Sequence, residues 1–304
     1  MDPQHRQLLE MLFHARSAED CTLSTRDDDL RGCGFDSAGC GAFVGIADQS
    51  YQHAHIMRFW RHGSDGLEPT HPYIATGNTL SCAAGRLCFV FGMHGPALSV
   101  DTACSSSIVS THIAACEIWD GEIHCAVACG AHSITAHNAT ATFHAAGMLS
   151  PDCRCKTMDA SADGYVRGES IGVLVLEASL SKATHKMPTM NQSPKLVSTA
   201  VNQDGRSSGL TAPSGLAQQA VIRAALKAGA LVPSNMQTLQ MHGTGTSLGD
   251  PIEFGASIAV LRTHEDCPLV LEAVKSFIGH TECASGVIGM MQPLENLSAA
   301  NTEK

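Results

Sequence analysis

Short, uninterrupted apolar runs separated by segments of helical character constrain the fold of this chain more than any other feature. The clearest runs span residues 42–46, 125–129 and 171–176, and residues 98–100 are a further strand candidate. Runs of this length without alternating polar residues are typical of strands that are buried on both faces. Because helical segments lie between them, the pattern predicts an α/β protein with a largely parallel sheet.

The helical segments are indicated by apolar spacing. Near the N-terminus, apolar residues recur at helical spacing at Leu8, Leu9, Leu12 and Phe13. Residues 105–119 and 218–228 also have helical character, and another helix is expected to begin near residue 284. Residues 17–41, which are polar and rich in glycine, and residues 187–194 are expected to form loops.

A second set of strand and helix signals lies in the C-terminal part of the chain. Strands are expected over residues 239–241 and 269–274. The helix after the first of these is expected to begin at Asp250, with Asp250 as its N-cap and Pro251 in its first turn. Glu253 stands where it can complete a capping box.

Composition excludes several classes of protein. The chain has 304 residues, 44% of them hydrophobic and 16% charged, which argues against a disordered chain. Its net charge of −10 and its lack of a basic run argue against a protein that binds nucleic acid. No apolar stretch approaches the ~18 residues of a membrane-spanning helix, and the N-terminus does not resemble a signal peptide. The 13 cysteines therefore indicate reduced thiols and a cytoplasmic protein, or an organellar one if a targeting segment precedes this sequence.

Cys104 is the strongest candidate for a nucleophile. A strand is expected to end near Asp101 and a helix to begin just after Cys104. The free N–H groups and the dipole at a helix N-terminus favour a thiolate. The backbone N–H of Cys104 is also suited to face a developing oxyanion. On these residues alone, a buried structural cysteine remains an equal alternative.

Two histidines lie in comparable positions. His242 follows a predicted strand within a Gly/Thr turn, and His280 occupies a second strand-to-helix turn. Parallel sheets bind ligands at the carboxyl ends of their strands, so Cys104 and these histidines are expected to converge on one site.

Three strings of residues resemble the signatures of β-ketoacyl synthases. They are Asp101-Thr-Ala-Cys-Ser-Ser-Ser107, His242-Gly-Thr-Gly-Thr246 and Gly279-His-Thr-Glu-Cys-Ala-Ser-Gly286. The resemblance is closest to ketosynthase domains of modular polyketide synthases and type I fatty-acid synthases. Residues 2–10, 159–168 and 202–213 agree with the same family, in family order.

The resemblance implies a thiolase-like fold, with two similar α/β halves in an α-β-α-β-α layering and usually a homodimer. The N-terminal half, residues 1–185, would carry Cys104, and the C-terminal half, residues 186–304, would carry both histidines. A thiolase-type acyltransferase that uses CoA is disfavoured by the His-Gly-Thr-Gly-Thr signature.

The resemblance also implies a decarboxylative Claisen condensation between a Cys104-bound acyl group and malonyl carrier protein. By position, His242 and His280 stabilise the enolate, and Lys275 and Glu282 form a supporting charged pair. Thr244 and Thr246 match positions that contact the pantetheine arm. The resemblance implies that no metal or redox cofactor is bound and that the substrates arrive on the phosphopantetheine of an acyl carrier protein.

The sequence also departs from the family pattern. Family members have an apolar strand and a Gly-rich segment before residue 2, and a Gly-rich stretch after the segment that contains His280. The chain is therefore expected to be truncated at both ends, a poor enzyme by itself, or a non-catalytic partner of a fuller ketosynthase. Ser170 stands where the family commonly has glycine, and Cys283 and Ser285 stand where it commonly has alanine.

Overall fold

The computed structural model describes residues 1–20, 39–47, 50–51, 73–178, 194–209, 211–262 and 268–302. Most of the two predicted loops, residues 21–38 and 187–193, lies outside these described residues. Contacts group the chain into two compact units of several segments each. The first unit comprises Met1–Thr142, Gly168–Ser179 and Thr281–Ile288, and the second comprises Phe143–Arg167, Leu180–His280 and Gly289–Lys304. The predicted division of the chain between residues 185 and 186 stays a prediction.

The described strands are short. They are β1 (Cys40–Gly45), β2 (Ala97–Val100), β3 (Cys125–His132), β4 (Ser170–Glu177), β5 (Thr238–Gln240) and β6 (Val270–Glu272). The described helices are α1 (Pro3–Asp20), α2 (Ile74–Asn78), α3 (Ser81–Phe91), α4 (Ser106–Trp119), α5 (His137–Ala145), α6 (Gly215–Ala228), α7 (Gly249–Leu261), α8 (Lys275–Ile278) and α9 (Ser285–Thr302). Every predicted strand and helix named above has a counterpart here.

The described strands of the first unit form one sheet in the order β2-β1-β3-β4. β1 pairs in parallel with both β2 and β3, as predicted, and every residue of β1 and β3 is buried. β4 departs from the parallel expectation, because it runs antiparallel to β3. Ser170 lies opposite His132, so the chain re-enters the sheet at the end where it left.

Alternate residues of β1 serve two separate cores. Val44 packs in a cluster with Leu8 and Leu12 of α1 and Leu87 of α3. Phe43, which points to the opposite face, packs in a cluster with Ala114 of α4. The sheet is therefore covered on both faces, which explains why its strands are continuous apolar runs.

In the second unit, β5 and β6 pair in parallel, and Gln240 lies opposite Glu272. A cluster formed by Leu226 of α6 with Val260 and Leu261 of α7 packs against Leu239 of β5. Because β5 and β6 are parallel, the segments that follow them leave from the same edge of this two-stranded sheet.

The start of α7 corrects two expectations. The helix begins at Gly249 with Leu248 as its N-cap, so Asp250 lies inside the first turn instead of capping it. The Asp250 carboxylate reaches back to accept the backbone N–H groups of Gly245 and Thr246, at 3.1 and 3.3 Å. Glu253 does not complete a capping box, because its carboxylate binds two backbone N–H groups elsewhere in the unit.

None of the described helices is long and apolar enough to cross a membrane.

Candidate active site

Cys104 lies in a 3-10 turn, Ala103–Ser105, between the end of β2 and the start of α4. The helix begins at Ser106, two residues later than the cysteine. Ala103 has φ of 54°, which lies in the left-handed region that side chains disfavour. The Asp101 carboxylate accepts the Ala103 N–H at 3.0 Å, and the Ser106 hydroxyl donates to the Ala103 carbonyl at 2.6 Å. Side-chain hydrogen bonds on both sides of Ala103 therefore stabilise its conformation.

A second 3-10 turn, Glu282–Ala284, packs against the first within the same unit. The Ser285 hydroxyl lies 3.1 Å from the carbonyl oxygen of Cys104 and 2.6 Å from that of Glu282. The Glu282 carboxylate lies 3.5 Å from Nε2 of His132, which is fully buried at the end of β3. His132 gives no functional signal in the sequence, because an isolated histidine at a strand end belongs to no motif.

The two cysteines in these turns differ in accessibility. Cys104 is partly exposed, whereas Cys283 is buried. Burial, and the nearby Glu282 carboxylate, raise the pKa of the Cys283 thiol to about 12. Cys283 therefore stays protonated at neutral pH, and only Cys104 of this pair offers an accessible sulfur.

His242 follows β5 in the second unit, and Glu253 on α7 holds its backbone. The Glu253 carboxylate accepts the N–H of His242 at 2.5 Å and that of Gly243 at 2.9 Å. Burial raises the pKa of this carboxyl, while the two N–H donors and the charge of Lys275 act in the opposite direction. The sequence predicts a capping box for Glu253 in its own helix, and this local alternative conceals the contact with the turn after β5.

The rings of His242 and His280 lie edge to face, with centroids 5.6 Å apart. His280 is buried, and its backbone N–H donates to the Val166 carbonyl at 2.7 Å. Its ring also packs edge-on against Tyr165 at 5.0 Å between centroids. The structure therefore brings together the two histidines that were predicted from separate strand ends.

His242 is uncharged at neutral pH. As a whole residue His242 is exposed to solvent, but the protein around its ring reduces the hydration of the ring. Loss of hydration, with a smaller contribution from the charge of Lys275, lowers the pKa of His242 to about 3. A neutral imidazole has one N–H donor, so His242 can donate a hydrogen bond without carrying a charge.

The two predicted supporting residues lie in different units. Lys275 is 4% exposed at the start of α8, and its charge lowers the pKa of both His242 and Glu253. Glu282 belongs to the first unit, where it contacts His132. The predicted pairing of Lys275 with Glu282 stays a prediction; within the second unit, the charge of Lys275 acts on the Glu253 carboxylate.

Thr244 and Thr246 lie in the turn after His242. Their hydroxyl oxygens are 3.4 Å apart, and that of Thr246 also accepts the Gly249 N–H at 3.2 Å. Thr246 lines a cavity of about 510 Å³ together with Met158, Pro251 and Phe254. Thr246 therefore presents its hydroxyl beside a largely apolar cavity, and Thr244 is its neighbour in the same turn.

Family models match most of the chain. A model described as the N-terminal domain of β-ketoacyl synthases matches residues 1–182, and one described as the C-terminal domain matches residues 195–300. The three strings of residues that resemble β-ketoacyl synthases predicted both of these matches.

Curated relatives agree with these models. The chain is 42% identical over 294 residues to polyketide synthase GfsB of Streptomyces halstedii. The matched region covers 96% of this chain and 5% of that protein. It is 40% identical over 297 residues to mycoketide-CoA synthase of Mycobacterium tuberculosis, covering 96% of this chain and 7% of that protein. The sequence therefore spans only a small part of these relatives.

A solved structure confirms the expected thiolase-like α/β fold. The ketosynthase from module 6 of the bacillaene synthase from Bacillus subtilis 168 superimposes with a TM-score of 0.80 at 32% identity. The match covers 97% of this chain and 48% of that one.

Proposed function

The chain belongs to the β-ketoacyl synthase family, and we propose on that premise that it catalyses decarboxylative Claisen condensation as a ketosynthase of polyketide or fatty-acid biosynthesis. The observation that carries the proposal is the pair of histidine rings, 5.6 Å apart, with His242 held neutral. Two adjacent imidazole rings, of which that of His242 is neutral, suit a carbonyl oxygen that gains negative charge during reaction.

In the first half-reaction, the Cys104 sulfur attacks the carbonyl carbon of an acyl thioester carried on phosphopantetheine. A new C–S bond forms, the old C–S bond breaks, and the pantetheine leaves as a thiolate, which takes up the proton that Cys104 released when it ionised. The position of Cys104 just before α4 favours the thiolate that this attack requires.

In the second half-reaction, a malonyl thioester loses CO₂, and the electron pair of the broken C–C bond forms an enolate. The N–H groups of His242 and His280 donate to the enolate oxygen, which carries more charge in the transition state than in the substrate. The enolate carbon then attacks the Cys104 thioester. The C–S bond breaks, Cys104 regains its thiolate, and a β-ketoacyl chain two carbons longer remains on the carrier.

The remaining predicted residues support these steps. Lys275 lowers the pKa of His242 and so favours its neutral form. Glu253 fixes the backbone that carries His242. Glu282 belongs to the second 3-10 turn, and its carbonyl accepts a hydrogen bond from Ser285. The hydroxyls of Thr244 and Thr246 offer hydrogen bonds to the amides of the pantetheine arm, and the 510 Å³ cavity beside Thr246 is large enough to receive part of it.

The implied partners are an acyl carrier protein and a second copy of this chain. β2 is an edge strand among the described strands, and Leu98 on it is 38% exposed. Phe89 on α3, which packs against β2, is 87% exposed. An edge strand flanked by exposed apolar side chains favours pairing with another strand, which supports a homodimer. We assign the protein to the cytoplasm because its many cysteines suit a reducing compartment.

The test supplies the purified chain with an acyl-loaded carrier protein and then malonyl carrier protein. We expect mass spectrometry to find the acyl group on Cys104 and a β-ketoacyl product on the carrier. Acylation that persists unchanged in Cys104→Ala would overturn the assignment of the nucleophile. A chain that neither acylates nor decarboxylates would instead be a non-catalytic partner, an interpretation that the presence of Cys104, His242 and His280 does not favour.

A further inference from the structure

Ser285 joins the two 3-10 turns of the first unit at the backbone of the candidate nucleophile. Its Oγ lies 3.1 Å from the Cys104 carbonyl oxygen and 2.6 Å from the Glu282 carbonyl oxygen. A hydroxyl has one hydrogen, so its hydrogen bond is shared between these two acceptors. Ser285 is 4% exposed, so bulk water does not reach the hydroxyl to compete for the bond.

The turn that carries Ser285 is itself fixed to the sheet and to α4. The Glu282 carboxylate contacts the buried His132 of β3. Two residues after Ser285, the Val287 N–H donates to the Ser107 hydroxyl at 3.1 Å. A β-carbon on Gly130 would lie 2.8 Å from the α-carbon of Ala284, so the turn sits directly against β3. These contacts make the second turn a rigid base.

We propose that Ser285 is a positioning residue that orients Cys104 by binding its carbonyl oxygen. This inference rests on the proposed function, in which Cys104 accepts the acyl group. Ser285 does not touch the substrate. It acts on the Cys104 peptide and so restrains the backbone from which the side chain with the sulfur projects.

In this chain the hydroxyl adds a restraint to the turn that the alanine common at this position in the family does not provide. Ala103, next to Cys104, is in the left-handed region at φ 54°, and this conformation persists only where its surroundings hold it. Asp101 and Ser106 hold the N-terminal side of the cysteine, whereas Ser285 binds the C-terminal side. Without the hydroxyl, the Cys104 carbonyl loses this donor and the sulfur direction becomes less defined.

Two reactions of the same sulfur separate positioning from reactivity. Acyl transfer from a thioester needs a defined angle of attack, and small misplacements of the reacting atoms cost much of the rate. Alkylation by iodoacetamide, a small and flexible reagent, depends mainly on the exposure and the ionisation of the thiol. We therefore expect Ser285→Ala to lower kcat for acyl transfer about tenfold, to leave KM unchanged, and to change the alkylation rate less than twofold.

The experiment compares the full chain with Ser285→Ala, using an acyl N-acetylcysteamine thioester as acyl donor. The matched control is Ser198→Ala, which removes a hydroxyl that donates to the Ala225 carbonyl at 2.8 Å in the second unit. The control should transfer acyl groups at the parental rate. Equal kcat in the parent and Ser285→Ala, or an equal fall in acylation and alkylation, would overturn the positioning role. Absence of acylation in the parent chain would overturn the proposed function as well.

Discussion

The Glu253 carboxylate accepts the backbone N–H of His242 at 2.5 Å, which ties the first helical turn of α7 to the candidate catalytic loop after β5. Its second oxygen accepts the adjacent N–H of Gly243 at 2.9 Å. One carboxylate thus fixes two consecutive peptides, and the direction of the His242 ring depends on a residue eleven positions away.

Glu253→Gln should weaken this restraint, because an amide offers one acceptor oxygen and turns an NH₂ donor towards a backbone N–H. We expect malonyl decarboxylation to fall about tenfold, in keeping with the loss of one charge-assisted hydrogen bond of ~1.5 kcal/mol. Acylation of Cys104 should stay near the parental rate. Release of labelled CO₂ measures the first quantity and mass spectrometry the second. Glu295→Gln, at an exposed position of α9, is the control. Normal decarboxylation in Glu253→Gln would contradict the role of this contact.

His280→Ala should separate loading from condensation. The variant removes one of the two donors to the enolate oxygen and should lose ~100-fold or more in CO₂ release, as expected for a single oxyanion donor. Self-acylation of Cys104 should continue, because the N-terminus of α4, and not His280, favours the Cys104 thiolate. His144→Ala, at an exposed position, should retain both steps. If His280→Ala decarboxylates malonyl carrier protein normally, His280 is not the enolate stabiliser.

Gly164 occupies a turn in which no other residue fits. Its φ is 137°, and a β-carbon there would lie 2.6 Å from the Met148 carbonyl oxygen. Gly164→Ala should therefore lower the free energy of unfolding by ~2–4 kcal/mol, the range for strained backbone with a clash. Decarboxylation should fall too, because the Gly164 N–H donates to the Gly245 carbonyl in the turn after His242. Gly255→Ala, inside α7 with no atom near the added carbon, should be neutral or stabilising. Urea unfolding of both variants provides the measurement.

Acid should destabilise the first unit through His5. This side chain is 1% exposed, and burial together with the charge of Arg86 lowers its pKa from 6.5 to about 4. The unfolded chain binds a proton at His5 below pH 6.5, whereas the folded chain does so only near pH 4. The free energy of unfolding therefore falls as pH drops between these values, by at most ~1.4 kcal/mol per pH unit.

Urea unfolding at pH 7, 6 and 5 tests this dependence. His5→Leu should flatten it, since leucine takes up no proton, while His14→Leu at an exposed position should leave it unchanged. The His242 contribution, which has the same sign, is present in all three proteins and cancels in the comparison. Equal slopes in the parent and His5→Leu would rule out His5 as the source.

The homodimer should depend on the edge formed by β2. Lys in place of Leu98 or Phe89 puts a charge beside the exposed backbone of this edge and should shift the protein towards monomer in analytical ultracentrifugation. Leu216→Lys provides the matched control, because Leu216 on α6 is 79% exposed and lies away from β2 in the sequence. Dissociation by the control alone would locate the interface elsewhere.

The sequence alone predicted the elements whose side chains have one strong preference. Continuous apolar runs predicted β1, most of β3 and the middle of β4, because strands packed on both faces are largely apolar. The spacing of Leu8 and Leu12 predicted α1, and both side chains are fully buried. Local strings also predicted Cys104, His242 and His280 as candidates, since glycines and small residues beside them allow tight turns after strands.

Only the tertiary structure decided which distant groups meet. Glu253 had a plausible local partner in its own helix, but the loop after β5 presents two N–H groups that attract its carboxylate more strongly. Asp250 likewise binds Gly245 and Thr246 instead of capping α7. The contact of His132 with Glu282, and the antiparallel direction of β4, depend on where the chain returns to the sheet. Such contacts join residues that are far apart in the sequence, so no local spacing predicts them. Hydrogen bonding within the folded chain selects one partner among several that are equivalent in the sequence.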